Sequence, residues 1–394
     1  MLGAIYIGLS GMEAYELGLQ TISNNVANLD TLGYKATLVN FEDIFDAGDD
    51  GLTDDDTTGQ IGSGVRFGQP AIDFSQGTME TTNNALDLAI QGSGFLVLQN
   101  QGGQVYYTRT GSFAVDQFGY ISEQGTNYRL SVLNSAGQAE PVNVDALSTQ
   151  APAATTSIKL SGNLSSSATS DSVSNITVYD SNGTQHTWTV ALSADSTTPG
   201  QWDVTVTDET GATVGTGTID FTGGVINPSS STITINTTPS GAQPMSVALD
   251  FSQATSFSSG TTSTLQTASV DGYGTGSLTG VTVTSTGQVQ LAYSNNQTVD
   301  DGYVALANFS NPQALERVGN GMFQNTGGSH VTLSPSATGG VGTLVSGQLE
   351  TANVDLSQEF GDLILIQRGF QASSQVVSVS NDMIEDLFGI RGHG

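Results

Sequence analysis

The chain carries a coiled-coil-like apolar stripe at each end and none between, and this pairing limits its possible folds more than any other feature. Near the start, apolar residues stand at Leu2, Ile5, Leu9, Met12, Tyr15, Leu19, Ile22, Val26 and Leu29, in steps of three and four with one slip. Near the other end, Leu356, Phe360, Leu363, Phe370, Val377, Ile384 and Phe388 keep the same alternation. Gln367, Ser374 and Asn381 fill the remaining positions at seven-residue intervals. Such spacing lines one face of an α-helix and predicts a helix–helix seam. The polar row has two readings: it sets register between helices at a cost in stability, or it faces a water-filled channel. Gly8, Gly11 and Gly18 each lower intrinsic helicity by about 1 kcal/mol. The first helix is therefore expected to be unstable alone and to order only when neighbours cover it.

Between the stripes the pattern changes to short alternating runs broken by Gly, Asn and Pro, the signature of β structure. Residues 85–98 read as strand, glycine turn, strand, and the best hairpin joins Ile176–Tyr179 to Thr187–Leu192 through Asn182-Gly183. The expected fold class is α+β and multidomain, with two mostly-β domains nested by insertion. Residues 1–45 and 351–394 form a terminal helical polymerisation domain, and 46–70 a flexible acidic linker. Residues 71–145 and 286–350 make a first β domain, with 146–285 an inserted outer β domain. Ser/Thr/Gly-rich stretches at 46–68, 148–157 and 252–269 are expected to act as joints.

Charge narrows the partners. Eight Lys and Arg stand against 37 Asp and Glu, a net charge of −29, and Lys159 is the sole base between Arg129 and Arg317. A surface this acidic repels phosphate backbones and anionic lipid, so neither nucleic acid nor membrane insertion is expected. No apolar run approaches the ~20 residues of a membrane span. Residues 1–10 hold no base, so a cleaved signal peptide is not expected. An exported chain of this kind leaves uncleaved by a dedicated route.

The catalytic inventory is thin. There is no cysteine, and His186, His330 and His393 fall in different predicted regions. Neither G-x-S-x-G nor H-E-x-x-H occurs. Gly92-Ser93-Gly94 and Gly272-x-Gly274-x-Gly276 are each followed by a strand rather than a helix, so they offer no anion-binding helix terminus. The acidic loop around Asp46, Asp50 and Gly51 places Thr57 where a calcium loop needs a bidentate Glu. No catalytic residue, cofactor or metal is assigned.

Two terminal motifs carry a resemblance. Thr21-Ile22-Ser23-Asn24-Asn25-Val26-Ala27-Asn28 runs on to Gly33-Tyr34-Lys35. Leu349-Glu350-Thr351-Ala352-Asn353-Val354-Asp355-Leu356 precedes Gln367-Arg368-Gly369-Phe370-Gln371-Ala372. Both resemble the signatures of the flagellar axial proteins, and residues 86–95 and 107–113 are similar to the β domain of their hook and distal-rod members. The family motif falls on Asn24, Asn25, Asn28, Gly33, Tyr34, Lys35, Asn353, Asp355, Gln367, Arg368 and Gln371. The large insertion at 146–285 favours the hook branch over the distal rod. Gly361 and Gly369 depart from the family, which more often has larger residues there. The resemblance implies a structural subunit of a curved, torque-transmitting tube outside the cell. It also implies self-assembly into a helical homopolymer through the apolar stripes. Rod proteins, hook–filament junction proteins, a hook cap and the type III export apparatus are the implied partners. Phe41-Glu42-Asp43-Ile44-Phe45 is similar to a short aromatic motif for the export gate; an equal reading has Phe41 and Phe45 packing under the β domain. A secreted β-rich adhesin is the rival class, and it leaves the two amphipathic ends unexplained.

Overall fold

A computed structural model describes residues 2–45 and 62–391. Most of the expected linker, the acidic stretch 46–61, and His393 lie outside the described residues. The chain divides into two compact units. The first comprises the chain up to Asp145, Val281–Gln290 and the chain from Asp300 onward; the second comprises Ala146–Gly280 and Leu291–Val299.

In the first unit, α1 (Leu2–Ala27) and α2 (Leu356–Arg391) lie antiparallel, Gly8 against Val377 at one end and Asn25 against Glu359 at the other. Their seam keeps Ile22, Leu363, Val377 and Ile384 of the stripe that the sequence predicts but is otherwise built largely from small residues. The residues α1 buries are Gly8, Gly11, Ala14, Gly18, Ile22 and Asn25. On α2 the buried residues are Ile366 and Ser380, with Leu363, Gly369, Ser373, Val377 and Ile384 half-buried. Ile5, Met12, Leu19 and Val26 are half-buried on the flanks, while Leu2, Leu9, Leu356, Phe360 and Phe370 are exposed. Close approach is the cause. A Cβ at Gly8 would stand 2.7 Å from Val377 Cγ2, one at Gly18 2.8 Å from Ile366 Cδ1, and one at Gly369 2.4 Å from the Tyr15 ring. Axes this near exclude large side chains, which turn outward.

Each helix is fixed at its root. At the end of α1, Asn28 donates through Nδ2 to the Asn24 carbonyl at 2.8 Å, and Gly33 reverses the chain at φ +66°. Asp355 caps α2: its Oδ1 accepts from the backbone N–H of Ser357 at 2.8 Å and of Gln358 at 3.2 Å, which satisfies two otherwise unpaired donors.

Beyond α1 the chain forms a hairpin, Phe41–Phe45 against Gly62–Phe67, so the final part of the expected linker is a strand. The hairpin lies on α1, where Val65 N–H donates to Ser10 Oγ at 3.3 Å. The β body of this unit is antiparallel. Asp87–Gln91 and Phe95–Gln99 flank the predicted glycine turn, yet they do not pair with each other. The former pairs with Thr343–Ser346 and Thr110–Val115, the latter with Val105–Thr108, Arg129–Leu133 and Leu306–Phe309. Both strands are buried almost throughout, which is why they read as continuous apolar runs. An aromatic cluster of Phe74, Phe95, Phe309 and Phe323, ring centroids 5.5–5.7 Å apart, fills one layer of the core.

The second unit is built on a nine-stranded sheet around Trp188, Trp202, Phe221 and Phe251. Ser170–Tyr179 pairs with Gln185–Ala194 across the Asn182-Gly183 turn, where Gly183 has φ +80°. Of the expected joints, 46–61 lies outside the described residues, while 148–157 and 252–269 carry side-chain hydrogen bonds. Thr156 and Ser157 donate their N–H groups to Asp271 Oδ1, Ser165 N–H reaches Ser263 Oγ at 3.0 Å, and Gln266–Val270 is a strand. Asp and Ser side chains thus supply backbone partners within these stretches.

Candidate assembly surface and its buried anchor

The polar residues of the terminal motifs converge at the foot of the helix pair. Lys35 Nζ lies 2.7 Å from Glu350 Oε1, and Arg109 Nε 3.3 Å from Glu350 Oε2. All three are sealed from water: Lys35 is 1% exposed, Arg109 3% and Glu350 0%. Lys35 also donates to the Ser75 carbonyl at 2.6 Å, and Glu350 Oε1 accepts the Gly77 N–H at 2.8 Å. The Arg109 guanidinium donates to the carbonyls of Gly94, Gly92 and Ile90. The Gly-Ser-Gly turn is thus a carbonyl cradle for an internal cation. Burial lowers the pKa of both Lys35 and Arg109, and Glu350 partly offsets it. A buried charge trio survives only when well hydrogen-bonded, and here every charged nitrogen and oxygen of the trio has at least one partner.

Amide side chains close the same knot. Asn25 Oδ1 accepts from the Thr37 N–H at 2.9 Å and from the Tyr34 hydroxyl at 3.1 Å, while its Nδ2 donates to Glu359 Oε1 at 2.9 Å. Burial raises the Glu359 pKa, partly offset by that hydrogen bond. Asn353 Oδ1 accepts the Ala36 N–H at 2.7 Å, and its Nδ2 reaches the Asp73 carbonyl at 2.8 Å. Asn24 Nδ2 donates to the Tyr34 hydroxyl at 3.1 Å, and Arg317 lies over the Tyr34 ring at 5.1 Å. The knot ties both helix roots to the β body. Glu350 and Arg109 were not among the predicted site residues, nor were Ser75 and Arg317. The scarcity of bases was the available signal, since an acidic chain that hides a Lys and an Arg needs a carboxylate for them.

Above the knot the helix pair presents apolar side chains outward. Leu2 is 69% exposed, Leu365 67% and Phe388 69%; Tyr6, Leu9, Leu17, Phe360 and Ile364 are also exposed. The motif residues Gln367, Arg368 and Gln371 lie on this outer surface rather than in the knot. Of the polar row, Gln367 and Asn381 are exposed and Ser374 is half-buried. A groove of about 260 Å³ between the helices is lined by Tyr15, Leu19, Gln367 and Phe370 among others. Phe41 packs on Tyr15 at 5.2 Å, thus on the helix rather than under the β body. The Phe45 side chain lies outside the described residues.

His186 stands between Asp180 and Glu209 in the second unit, with no serine nucleophile among the hydrogen-bond partners of its ring. Burial pulls its pKa down, but the hydrogen bonds to Glu209 and Asp180 outweigh it and the net shift is upward.

Four family models match along the chain. They are described as flagella basal body rod protein (residues 5–35), flagellar hook protein FlgE/F/G D1 domain (89–166), flagellar basal body protein FlaE D2 domain (143–273) and flagellar basal body rod FlgEFG protein C-terminal (345–390). The flagellar hook protein FlgE of Escherichia coli K12 is 30% identical over 410 residues, covering 97% of this chain and 98% of that protein. Its counterpart in Salmonella typhimurium is 30% identical over 412 residues, with the same coverage. That of Borreliella burgdorferi is 27% identical over 443 residues, covering 98% and 99%.

Proposed function

From the premise that the chain belongs to the flagellar hook protein family, whose members are structural and not enzymes, we propose that α1 and α2 line a curved, bendable tube that passes motor torque outward. The family places the chain in the flagellum as a self-polymerising subunit. The observation that carries the mechanism is the outward-facing apolar surface of the helix pair. Burying one such side chain is worth about 1.5–3 kcal/mol, and the small-residue seam leaves that gain unrealised in a lone chain. Neighbouring subunits supply the cover. A heterologous contact that does not close on itself yields an open helical polymer.

In this reading residues 1–45 and 351–394 are the polymerisation domain, with 71–145 and 286–350 as a first β domain and 146–285 as an outer one. Rod proteins, hook–filament junction proteins and a hook cap are the partners along the axis. Export runs through the type III apparatus without cleavage, with Phe41 and Phe45 as the candidate gate motif. The test is a chain lacking residues 1–30. It keeps Lys35, Arg109 and Glu350, so it is expected to remain folded and monomeric by sedimentation. Filaments of normal appearance in electron micrographs of that chain would overturn the reading.

A further inference from the structure

Both helices are acidic overall, α2 carrying Glu359, Asp362, Asp382, Glu385 and Asp386, but at one level along the pair their outer sides carry opposite charges. Two residues turn a helix by about 200°. Glu13 stands two residues from the seam position Gly11, Glu16 two from Ala14 and Gly18, and Arg368 two from Ile366. All three are exposed, the acids on α1 and the base on α2; Glu13 and Arg368 turn away from the seam, and Glu16, on the outer side of α1, also borders the groove between the helices. Gly369 faces Tyr15 and Gly18 faces Ile366, so Arg368 and Glu16 lie at the same level along the pair on opposite sides. They cannot meet within one chain, and Arg368 has no ion-pair partner among the described residues. Apart from Arg391 at the end of α2, Arg368 is the only base on either helix. Exposed Leu9 and Leu17 border the acids, and exposed Ile364 and Leu365 border the base.

We propose that Arg368 of each subunit pairs with Glu16 on α1 of an adjacent copy, setting the lateral register of the polymer. The proposal rests on the reading of the helix pair as the assembly surface. Lateral contact between such acidic chains otherwise sets acid against acid, and like-charge juxtaposition is strongly unfavourable. A base at the level of Glu16, with an apolar border on each side, selects one alignment out of many.

The test is charge reversal in the full chain, read as the critical concentration for polymerisation in a sedimentation assay. Arg368→Glu and Glu16→Arg are each expected to raise it by roughly tenfold or more, and the double reversal to bring it back towards wild type. An Arg368→Glu chain that polymerises like wild type overturns the pairing, as does a double reversal no better than either single change. Circular dichroism matching wild type establishes that each variant has folded. A wild-type chain that never polymerises overturns the assembly reading as well. Cross-linking gives an independent measure, because the chain has no cysteine. Glu16→Cys/Arg368→Cys, assembled above its own raised critical concentration and treated with a short bismaleimide, is expected to give a ladder of covalent multimers. Cross-linking that stops at dimers counts against the pairing.

Discussion

At the residue scale, the anchor turns on Glu350, which holds two buried cations with one carboxylate. Glu350→Ala would leave Lys35 and Arg109 uncompensated in a dry site, and breaking a buried pair in this way costs about 3–5 kcal/mol. The expected result is a large fall in the urea midpoint of the β body. The exposed pair Arg66–Glu42, with side chains 68% and 44% exposed, is the control: Glu42→Ala is expected to cost at most about 1 kcal/mol. Equal losses for the two substitutions would contradict the anchor role of Glu350. Much of this site was legible in the residues, but not its logic. The motif stretches name Asn25, Tyr34, Lys35 and Asn353, yet nothing in their spacing shows that they gather in one knot, or that Lys35 pairs with a carboxylate 315 positions away. Asp355 was visible as a motif residue, and its capping role needs only the helix that follows it.

At the element scale, the helices were legible from their apolar period, whereas the face each one buries was not. A stripe of large apolar residues marks where burial is gained, not which partner provides it. The glycines that weaken α1 as an isolated helix are the positions that let α2 approach, so a local cost in helicity is exchanged for seam packing. The two family departures on α2 separate these effects. A Cβ at Gly361 would have nothing within 4 Å of it, whereas a Cβ at Gly369 would meet the Tyr15 ring at 2.4 Å. Gly361→Ala is therefore expected to stabilise α2 by up to about 1 kcal/mol. Gly369→Ala gains the same propensity but overpacks the seam, at a cost of about 1–3 kcal/mol. Thermal melts followed at 222 nm should show opposite signs for one substitution type in one helix. A shift of the same sign at both positions would mean that the seam is looser than its distances indicate.

At the scale of the whole molecule, composition and pattern were enough to suggest β units nested within helical ends, because helix and strand periods differ so sharply. The Ser- and Thr-rich stretches are harder to read for a physical reason: composition does not show which side chains accept from their backbone, as Asp271 Oδ1 does from Thr156 N–H and Ser263 Oγ from Ser165 N–H. Net charge then governs assembly. A chain of −29 repels its copies over long distances, while the Arg368–Glu16 attraction acts only at contact. Raising the ionic strength from 10 to 150 mM shortens the Debye length from about 30 to about 8 Å. That screens the diffuse repulsion far more than a pair bordered by apolar side chains. Added salt is therefore expected to lower the critical concentration of the wild-type chain, and also to narrow the deficit of Arg368→Glu, whose misplaced carboxylate is one more repulsive charge. Light scattering across a sodium chloride series measures both slopes. If salt instead raises the wild-type critical concentration, attraction between charges outweighs net repulsion in holding the polymer together, and the acidity of the surface is not what limits its growth.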